Sequence, residues 1–297
     1  MTCSMETPGS FSQEGSGSGE VRLKPLERQT KNESGIIYIN GKPAYFVKRY
    51  NPHEPNVSQM MERERAATLF FNSTNMLDAP KMMHAANGCI ILSYEGELED
   101  MPVTEALEEI SGFHSRSISY GDFPANFQSS VFQNNRRERG KARLRKHYDL
   151  VKTLWPDIGE LEKAMDCTPP EAYARIPKIL VHGDLHRGNI QRRPDRSIIF
   201  IDFERAYFDF FTWDMSRAIL DLETSEVDAF IAQYLERLKE LPLGEAEIKR
   251  LILGDCLYRI VTDSIADRQT VHFASIAERH LQRDSKFLRE VVLPSLL

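Results

Sequence analysis

Paired cysteines and long apolar stretches are both missing from this sequence of 297 residues. The four cysteines, at positions 3, 89, 167 and 256, are scattered without paired spacing, which excludes a disulfide framework and a cysteine-based zinc site. No apolar run approaches the length of a membrane span, and the first residues contain no continuous apolar signal segment. We therefore expect a cytoplasmic protein without transmembrane segments.

An excess of positive charge is also missing. The chain has 44 Asp and Glu against 38 Lys and Arg, a formal net charge of -6, which argues against a general nucleic-acid-binding protein. Its 41% hydrophobic and 28% charged residues are ordinary for a globular protein with room for two lobes. Residues 1–19 are rich in glycine and serine and poor in apolar side chains, so we predict a disordered tail there.

Two short apolar runs, at residues 179–181 and 198–201, each lead into an acidic residue. Asp184 follows the first run, and Asp202 follows the second after a polar turn. Asn189 comes five residues after Asp184, which is the spacing of the Asp-x-x-x-x-Asn kinase catalytic loop. The pattern predicts that these three oxygen-bearing side chains converge on one point.

This set of groups suits phosphoryl transfer. A carboxylate must accept the proton of the acceptor hydroxyl, and hard oxygen ligands must hold magnesium on the nucleotide phosphates. Asp184 is the predicted base, and Asn189 and Asp202 are the predicted metal ligands. Either aspartate alone would more often be a turn residue that ends a strand. Both together, at this spacing around a hairpin, favour the catalytic interpretation.

The stretch His182-Gly-Asp-Leu-His-Arg-Gly-Asn189, followed by Ile201-Asp-Phe-Glu204, resembles the aminoglycoside phosphotransferase and choline kinase-like family of the protein-kinase-like fold. The resemblance implies a bilobal α+β fold, with a small N-lobe of antiparallel sheet and one helix and a larger, mainly helical C-lobe. We expect the N-lobe at residues 20–95 and the C-lobe at 96–297. Eukaryotic protein kinases have His-Arg-Asp and Asp-Phe-Gly at these places. Without that arginine, the loop lacks the usual partner of an activation-loop phosphate.

The N-lobe residues that bind nucleotide follow from the same resemblance. Lys48 ends the run Tyr45-Phe-Val-Lys48, which is similar to the third-strand lysine that pairs with nucleotide phosphates. A helix predicted over residues 58–71 offers Glu62 and Glu64 as the carboxylate that orients this lysine. We favour Glu64 because it shares a helical face with apolar neighbours, and Glu62 remains the alternative.

The base of the nucleotide is expected at Ser93, Tyr94 and Glu95, where the family places its interlobe hinge and adenine bonds to the backbone. No Gly-x-Gly-x-x-Gly precedes Lys48, so residues 29–34 are the predicted phosphate-covering loop, and the sequence leaves both ATP and GTP open as co-substrates. This loose glycine pattern fits the small-molecule kinases of the family.

The size of the acceptor is indicated by the residues after the catalytic motif. Asp214 matches the aspartate that supports the catalytic loop in the family, and only eleven residues separate it from Asp202. That is too short for the long activation segment with which protein kinases bind their substrates. A small acceptor is therefore expected. His114, in a helix predicted over residues 104–118, is interpreted as a packed helix residue and not as a catalyst.

A basic segment at residues 136–146 bears on the charge of the acceptor. It contains seven basic residues against one acidic residue. A helix starting near Lys141 would turn Leu144, Tyr148 and Val151 inward and leave the basic side chains in solvent, where such faces usually serve only solubility. If the segment lines the cleft, it would attract an anionic acceptor and repel a cationic one.

The resemblance implies an ATP-dependent or GTP-dependent phosphotransferase that uses magnesium and moves the γ-phosphate to a hydroxyl of a small molecule. Two alternatives remain. One is a lipopolysaccharide-core or Kdo-type sugar kinase that acts on a glycolipid, to which Phe46-Val-Lys-Arg-Tyr50 is similar. The other is a nucleotide-binding pseudokinase module, which is disfavoured because the lysine, the base and both metal ligands are all retained.

Overall fold

The structure is a computed structural model that describes residues 20–26, 32–54, 56–120, 127, 136–146, 148–155, 157–168, 170–238, 241–261 and 283–297. The chain divides into two compact units. Unit 1 contains Met1–Glu99 and Arg192–Arg205, and unit 2 contains Asp100–Gln191 and Ala206–Leu297. The predicted tail at residues 1–19 and residues 29–31 of the predicted phosphate-covering loop lie outside the described residues.

The main element of unit 1 is a five-stranded antiparallel sheet in the order β1-β2-β3-β5-β4. Its strands are β1 (Val21–Pro25), β2 (Glu33–Ile39), β3 (Lys42–Arg49), β4 (Met82–Ala86) and β5 (Cys89–Ser93). Two turns of this sheet, Asn40-Gly41 and Asn87-Gly88, have positive φ at both residues. That is the type I′ geometry that Asn-Gly favours, and it sets the register of the strands on either side.

Unit 1 contains one long helix, α1 (Val57–Thr74). Its buried side chains include Ala67 and Phe71, and the Phe71 ring centre lies 4.9 Å from that of Phe203. Glu64 lies on the same buried face, as the shared helical face predicted. The helix ends where Asn75 adopts a left-handed conformation and donates its N–H to the carbonyl of Phe71.

The segment of unit 1 that contains Asp202 begins with a hairpin of two short strands. The strands β8 (Ile190–Arg192) and β9 (Ile198–Phe200) belong to a three-stranded sheet in the order β6-β8-β9, where β6 is Glu99–Asp100. The limits of the two units fall within β6 and β8. Arg193 donates to Asp78 at 2.6 Å and to Glu95 at 2.7 Å, and the Phe200 N–H donates to the Asp78 carbonyl at 2.9 Å. These bonds fasten the segment that carries Asp202.

Unit 2 is mainly helical around one short antiparallel strand pair, β7 (Lys178–Val181) and β10 (Tyr207–Phe210). The apolar run of β7 is fully buried, which explains why it lacks the polar alternation of a surface strand. The helices are α2 (Leu107–Tyr120), α3 (Arg136–Lys146), α4 (Tyr148–Leu154), α5 (Ile158–Asp166), α6 (Pro170–Tyr173), α7 (Phe211–Ala218), α8 (Val227–Arg237), α9 (Glu245–Arg259) and α10 (Leu293–Leu296). The antiparallel sheet and the helical region confirm the predicted α+β class.

The basic segment departs from its prediction in one respect. Leu144 and Val151 are buried as expected, but Tyr148 is 47% exposed. The prediction for Tyr148 was wrong: its ring stays at the surface, with its centre 5.6 Å from Lys152 Nζ, because an aromatic ring can cover a basic side chain instead of entering the core. Among the described residues, no helix combines the length and the apolar character needed to cross a membrane.

Candidate active site

The predicted lysine lies at the centre of a carboxylate cluster in unit 1. Lys48 Nζ lies 2.7 Å from Asp202 Oδ1, 2.8 Å from Glu64 Oε2 and 3.0 Å from Glu204 Oε2. Glu62, the alternative partner, instead pairs with Arg65 at 2.7 Å. The structure therefore brings Lys48, Glu64 and Asp202 together, and it adds Glu204.

We call Lys48, Glu64, Asp202 and Glu204 the Lys48 cluster. Its burial affects the pKa values of its groups. Lys48 and Glu64 are 7% and 2% exposed, so each charged group loses most of its hydration. Burial alone would lower the pKa of Lys48, but the carboxylates of Glu64 and Asp202 outweigh it and raise that pKa well above its usual value. Burial raises the pKa of Glu64 although Lys48 opposes this shift. One ammonium shared among three carboxylates leaves a negative surplus that favours binding of a divalent cation.

The sequence interpretation missed Glu204 of the Lys48 cluster and Tyr50, which contacts the cluster. The Tyr50 hydroxyl donates to Glu64 Oε2, and its ring centre lies 5.0 Å from Lys48 Nζ. The two-residue spacing from Lys48 in β3 put Tyr50 on the same side of the chain, and this signal was available. Glu204 also accepts from Asn32 Nδ2 at 3.2 Å. The sequence signal for Glu204 is the acidic residue that stands where protein kinases have the glycine of Asp-Phe-Gly.

The three predicted hinge residues lie at the end of β5 in unit 1: Ser93 is the last residue of the strand, and Tyr94 and Glu95 follow it. The Ser93 N–H donates to the Lys81 carbonyl at 2.9 Å, and the Tyr94 N–H donates to the Ala44 carbonyl at 3.3 Å. The Ser93 hydroxyl donates to the Glu95 carboxylate, which also accepts from Arg193 as described above. This segment is thus held in an extended form by its neighbours in the sheet and by the hairpin.

In unit 2, β7 ends at Val181 and the chain turns into the catalytic motif. Gly183 has φ 84°, a left-handed conformation that glycine adopts without strain. A short 3₁₀ turn, Arg187–Asn189, then places Asn189 so that its Nδ2 donates to the Asp184 carbonyl at 2.9 Å. Arg217, a residue that sequence analysis did not single out, donates from Nε to Asp184 Oδ1 at 3.1 Å. The structure therefore brings Asp184 and Asn189 together and adds a cation at the Asp184 carboxylate.

His186 closes the turn that carries Asn189. Its Nδ1 accepts from the Gly188 N–H at 3.1 Å. Burial, with the nearby Arg217 guanidinium, lowers the pKa of His186 to about 4, so the imidazole is neutral at pH 7 and keeps a lone pair for this bond. The Arg187 N–H donates to Asp221 at 2.8 Å and fixes the start of the same turn.

A buried network, which we call the Asp214 network, holds the motif from behind. Asp214 Oδ2 accepts from the His182 N–H and Oδ1 from the Gly183 N–H, both at 2.7 Å. His114 Nε2 lies 3.2 Å from Asp214 Oδ2, and His114 Nδ1 lies 2.6 Å from the Tyr234 hydroxyl. This is the supporting contact that the resemblance implied for Asp214, and His114 is packed, as predicted, but also bonded to it.

The protonation states in the Asp214 network follow from its contacts. Burial opposes the charge of Asp214, but the hydrogen bond from His114 and the other contacts outweigh it and lower the pKa of this carboxyl. Burial raises the pKa of Tyr234 well above its usual value, so its hydroxyl stays a donor. Because the Asp214 carboxylate can only accept, His114 Nε2 is the donor in the bond between them. Each polar group in this chain of bonds has a partner of the right kind.

Solved structures of known proteins have a similar fold. Choline kinase LicA from Streptococcus pneumoniae is 14% identical, with a TM-score of 0.64 over 91% of this chain and 94% of that chain. An ethanolamine kinase from Plasmodium vivax is 15% identical, with a TM-score of 0.62 over 93% and 83%. The GDP complex of aminoglycoside 2'-phosphotransferase-IIIa is 15% identical, with a TM-score of 0.62 over 91% and 94%. These likenesses confirm the predicted kinase-like fold.

Sequence comparison identifies the family. A search of curated proteins finds no match to the chain. A family model described as the phosphotransferase enzyme family matches residues 30–249, which include both the Lys48 cluster and the segment from Asp184 to Asp214. Because this match covers most of the chain and every predicted site residue, the chain belongs to the phosphotransferase enzyme family.

Proposed function

We propose that the protein transfers the γ-phosphate of ATP or GTP, with Mg²⁺, to a hydroxyl group of a small molecule. The contact of Lys48 with Glu64 and Asp202 is the observation that supports this most. In the kinase mechanism a lysine held by a carboxylate binds nucleotide phosphates, and the aspartate beside it binds the metal. Structurally similar proteins have been solved with AMP and with GDP, which supports a nucleotide co-substrate.

The residues proposed as metal ligands fit Mg²⁺, which prefers oxygen donors. Asn189 uses its Nδ2 in the bond to Asp184, so its amide oxygen is the atom that would face the metal. The Asp202 side chain is 39% exposed, and its carboxylate accepts from Lys48 through Oδ1. When bound, Mg²⁺ would neutralise charge that develops on the phosphates.

Asp184 is the proposed base. It would accept the proton of the acceptor hydroxyl while the hydroxyl oxygen bonds to the γ-phosphorus and the bond to the β-phosphate oxygen breaks, which releases the nucleoside diphosphate. The Arg217 bond to Asp184 Oδ1 fixes the rotation of the carboxylate. The Asn189 bond to the Asp184 carbonyl fixes the backbone on the other side.

The nucleotide base is assigned to the backbone of Ser93, Tyr94 and Glu95. The N–H groups of Ser93 and Tyr94 already donate to Lys81 and Ala44. We therefore place the hydrogen bond from the chain to the base at the Glu95 peptide. The Glu95 side chain is held away from this role by Ser93 and Arg193.

The proposed acceptor is a small molecule, and we favour an anionic one because of the basic segment at residues 136–146. Part of that charge is balanced, since Lys141 pairs with Asp166 at 2.6 Å and Arg145 with Glu162 at 3.2 Å. Lys146 is exposed at the end of α3 and remains available to attract an anion.

The test is release of nucleoside diphosphate from Mg-ATP and Mg-GTP, alone and with choline, ethanolamine, an aminoglycoside and a phosphorylated sugar. Asp184→Asn should keep nucleotide affinity and lower turnover by about 10²-fold or more. Asp228→Asn is the matched control, because the Asp228 side chain is exposed on α8 and pairs with Lys249 at 2.8 Å. Equal turnover in Asp184→Asn would remove Asp184 as the base. Nucleotide binding without any turnover in the wild type would establish the pseudokinase alternative.

A further inference from the structure

Arg259, at the end of α9, is an arginine with almost no contact with solvent. It is 1% exposed and is among the largest fully buried side chains in the described part of the chain. It also lies beyond the region matched by the family model, which ends at residue 249. A buried guanidinium destabilises a fold unless its donors and its charge are compensated. The contacts of the Arg259 guanidinium therefore indicate its role.

Those contacts lead to the catalytic motif. Arg259 Nε donates to Ser216 Oγ at 2.8 Å, and Nη2 donates to the Trp213 carbonyl at 2.9 Å. The guanidinium carbon lies 3.6 Å from the centre of the Trp213 ring. These contacts anchor the arginine on α7. Nη2 also donates to the Gly183 carbonyl at 3.1 Å, so the anchored guanidinium reaches the residue before the proposed base.

The Gly183 carbonyl belongs to the same planar peptide group as the N–H of Asp184. Because a peptide group is rigid, fixing its oxygen also fixes the nitrogen and the Cα of Asp184. The two preceding peptide groups are held through the N–H groups of His182 and Gly183, both bonded to Asp214. Three successive peptide groups before the Asp184 Cα are thus fixed. The Asp214 carboxylate holds the first two, and the Arg259 guanidinium holds the third.

We infer that Arg259 is a positioning residue for Asp184, an inference that rests on the proposed role of Asp184 as the base. The backbone that Arg259 holds is unusual, because Gly183 has φ 84°, a conformation that most residues adopt only with strain.

The test compares Arg259→Ala and Arg259→Lys with Arg250→Ala. Arg250 is an exposed arginine on the same helix, so its variant controls for loss of charge and of helix contacts. Hydrogen exchange is followed in peptides that cover residues 182–189, α2 and α8. Turnover of Mg-ATP is measured in the same samples, with and without methylguanidinium, and methylammonium serves as a control cation of equal charge.

For Arg259→Ala we expect turnover to fall by about tenfold or more while the nucleotide KM stays within about twofold, the pattern of a lost transition-state interaction. Exchange at residues 182–189 should accelerate without a matching change in α2 and α8, and methylguanidinium, unlike methylammonium, should restore part of the turnover. Arg259→Lys, which retains the charge and the stem, should fold if Arg259→Ala does not, and should show the same local change to a smaller degree.

Unchanged exchange at residues 182–189, or exchange that rises equally across α2 and α8, would overturn the inference and leave Arg259 as a general support of unit 2. If the wild type turns over no nucleotide, the proposed function fails, whereas the exchange comparison still decides whether Arg259 holds the Asp184 backbone.

Discussion

The Lys48 cluster and the Asp214 network are both built from charged groups, but they are balanced differently. In the Lys48 cluster one ammonium faces three carboxylates, and the side chain of Asp202 is 39% exposed. In the Asp214 network one fully buried carboxylate accepts from two backbone N–H groups and from His114, which is itself bonded to Tyr234. The first arrangement has charge left for a ligand, whereas the second is complete without one.

This difference indicates separate tasks. Under the proposed function, Lys48 would exchange a carboxylate for a phosphate when nucleotide binds, so its cluster would need surplus partners that can move. Asp214 would hold the backbone of the proposed base in one place, so its network would gain from having no exchangeable partner. Substitutions in the two regions should therefore fail in different ways, one through ligand binding and the other through stability.

Asp214→Asn should have the largest effect. An amide in place of the carboxylate presents an N–H₂ group to one of the backbone donors, and a buried donor left unsatisfied costs about 1–3 kcal/mol. With two backbone donors and His114 affected, we expect a loss of about 3 kcal/mol in the free energy of unfolding. Chemical denaturation would measure it. Asp228→Asn, whose parent side chain is 72% exposed, should change that free energy by less than about 0.5 kcal/mol.

The same variant should show a defined pH dependence. The pKa of Asp214 is lowered in the folded state, so its contribution to stability is fully present above the unfolded value of about 3.9 and is lost as the pH falls through the lower folded value. The stability difference between wild type and Asp214→Asn should thus be constant near pH 6 and shrink below about pH 4. A difference that stays constant below pH 4 would show that Asp214 is not stabilised as an anion.

Asp202→Asn should come next, and it should affect binding and not folding, because asparagine tolerates the left-handed backbone of residue 202. If Asp202 binds the metal as proposed, loss of its carboxylate should weaken Mg-nucleotide affinity by about tenfold or more, while stability stays about equal. Calorimetric titrations with Mg²⁺ and with a chelator test this, since the two proteins should differ only when the metal is present. Asp195→Asn, in the exposed turn of the same segment, is the control. Equal Mg²⁺ dependence in the two proteins would make Asp202 only a turn residue.

Two buried tyrosines provide a matched pair with a smaller effect. Tyr50→Phe removes the donor to Glu64, and Tyr234→Phe removes the donor to His114. Each should cost about 1 kcal/mol of stability, the usual contribution of one hydrogen bond. Only Tyr50→Phe should also raise the nucleotide KM, because only Glu64 orients Lys48. An equal change of KM in both variants would contradict the division of tasks.

Charge reversal in the basic segment should have the smallest effect. Changing Arg143, Arg145 and Lys146 to Glu should raise the KM of an anionic acceptor a few-fold at low ionic strength, and the effect should fade as added salt screens it. The nucleotide KM should not change. Reversal of Arg22, Lys24 and Lys42, which are exposed on β1 and β3, controls for net charge. Unaltered acceptor kinetics at low salt would put a cationic or neutral acceptor first.

The parts of the molecule that could be predicted from sequence are those with a local signal. Asn40-Gly41 predicts its own turn geometry, and the helical face of Glu64 could be read from its apolar neighbours. The spacing of Asp184 and Asn189 is also local, and the structure joins the two through a hydrogen bond. In each case the informative residues lie within one turn or one helix face of each other.

The contacts that escaped prediction join residues far apart in the chain. Arg217 reaches Asp184 across 33 positions, and Arg259 reaches Gly183 across 76. No period or motif encodes such contacts, because they depend on how α7 and α9 pack within unit 2. The helical period also predicted a buried Tyr148, but the period does not show whether an aromatic ring packs inward or lies against a basic side chain such as Lys152.

The backbone at Asp202 has a consequence for how this family can diverge. Asp202 lies at φ 66°, in the left-handed region where Asp and Asn are tolerated better than other non-glycine residues. Asparagine is therefore the replacement that removes the carboxylate with the least disturbance of the chain. A single-base mutation of an aspartate codon produces it. Descendants that keep the fold of unit 1 without the Asp202 carboxylate are thus one mutational step away.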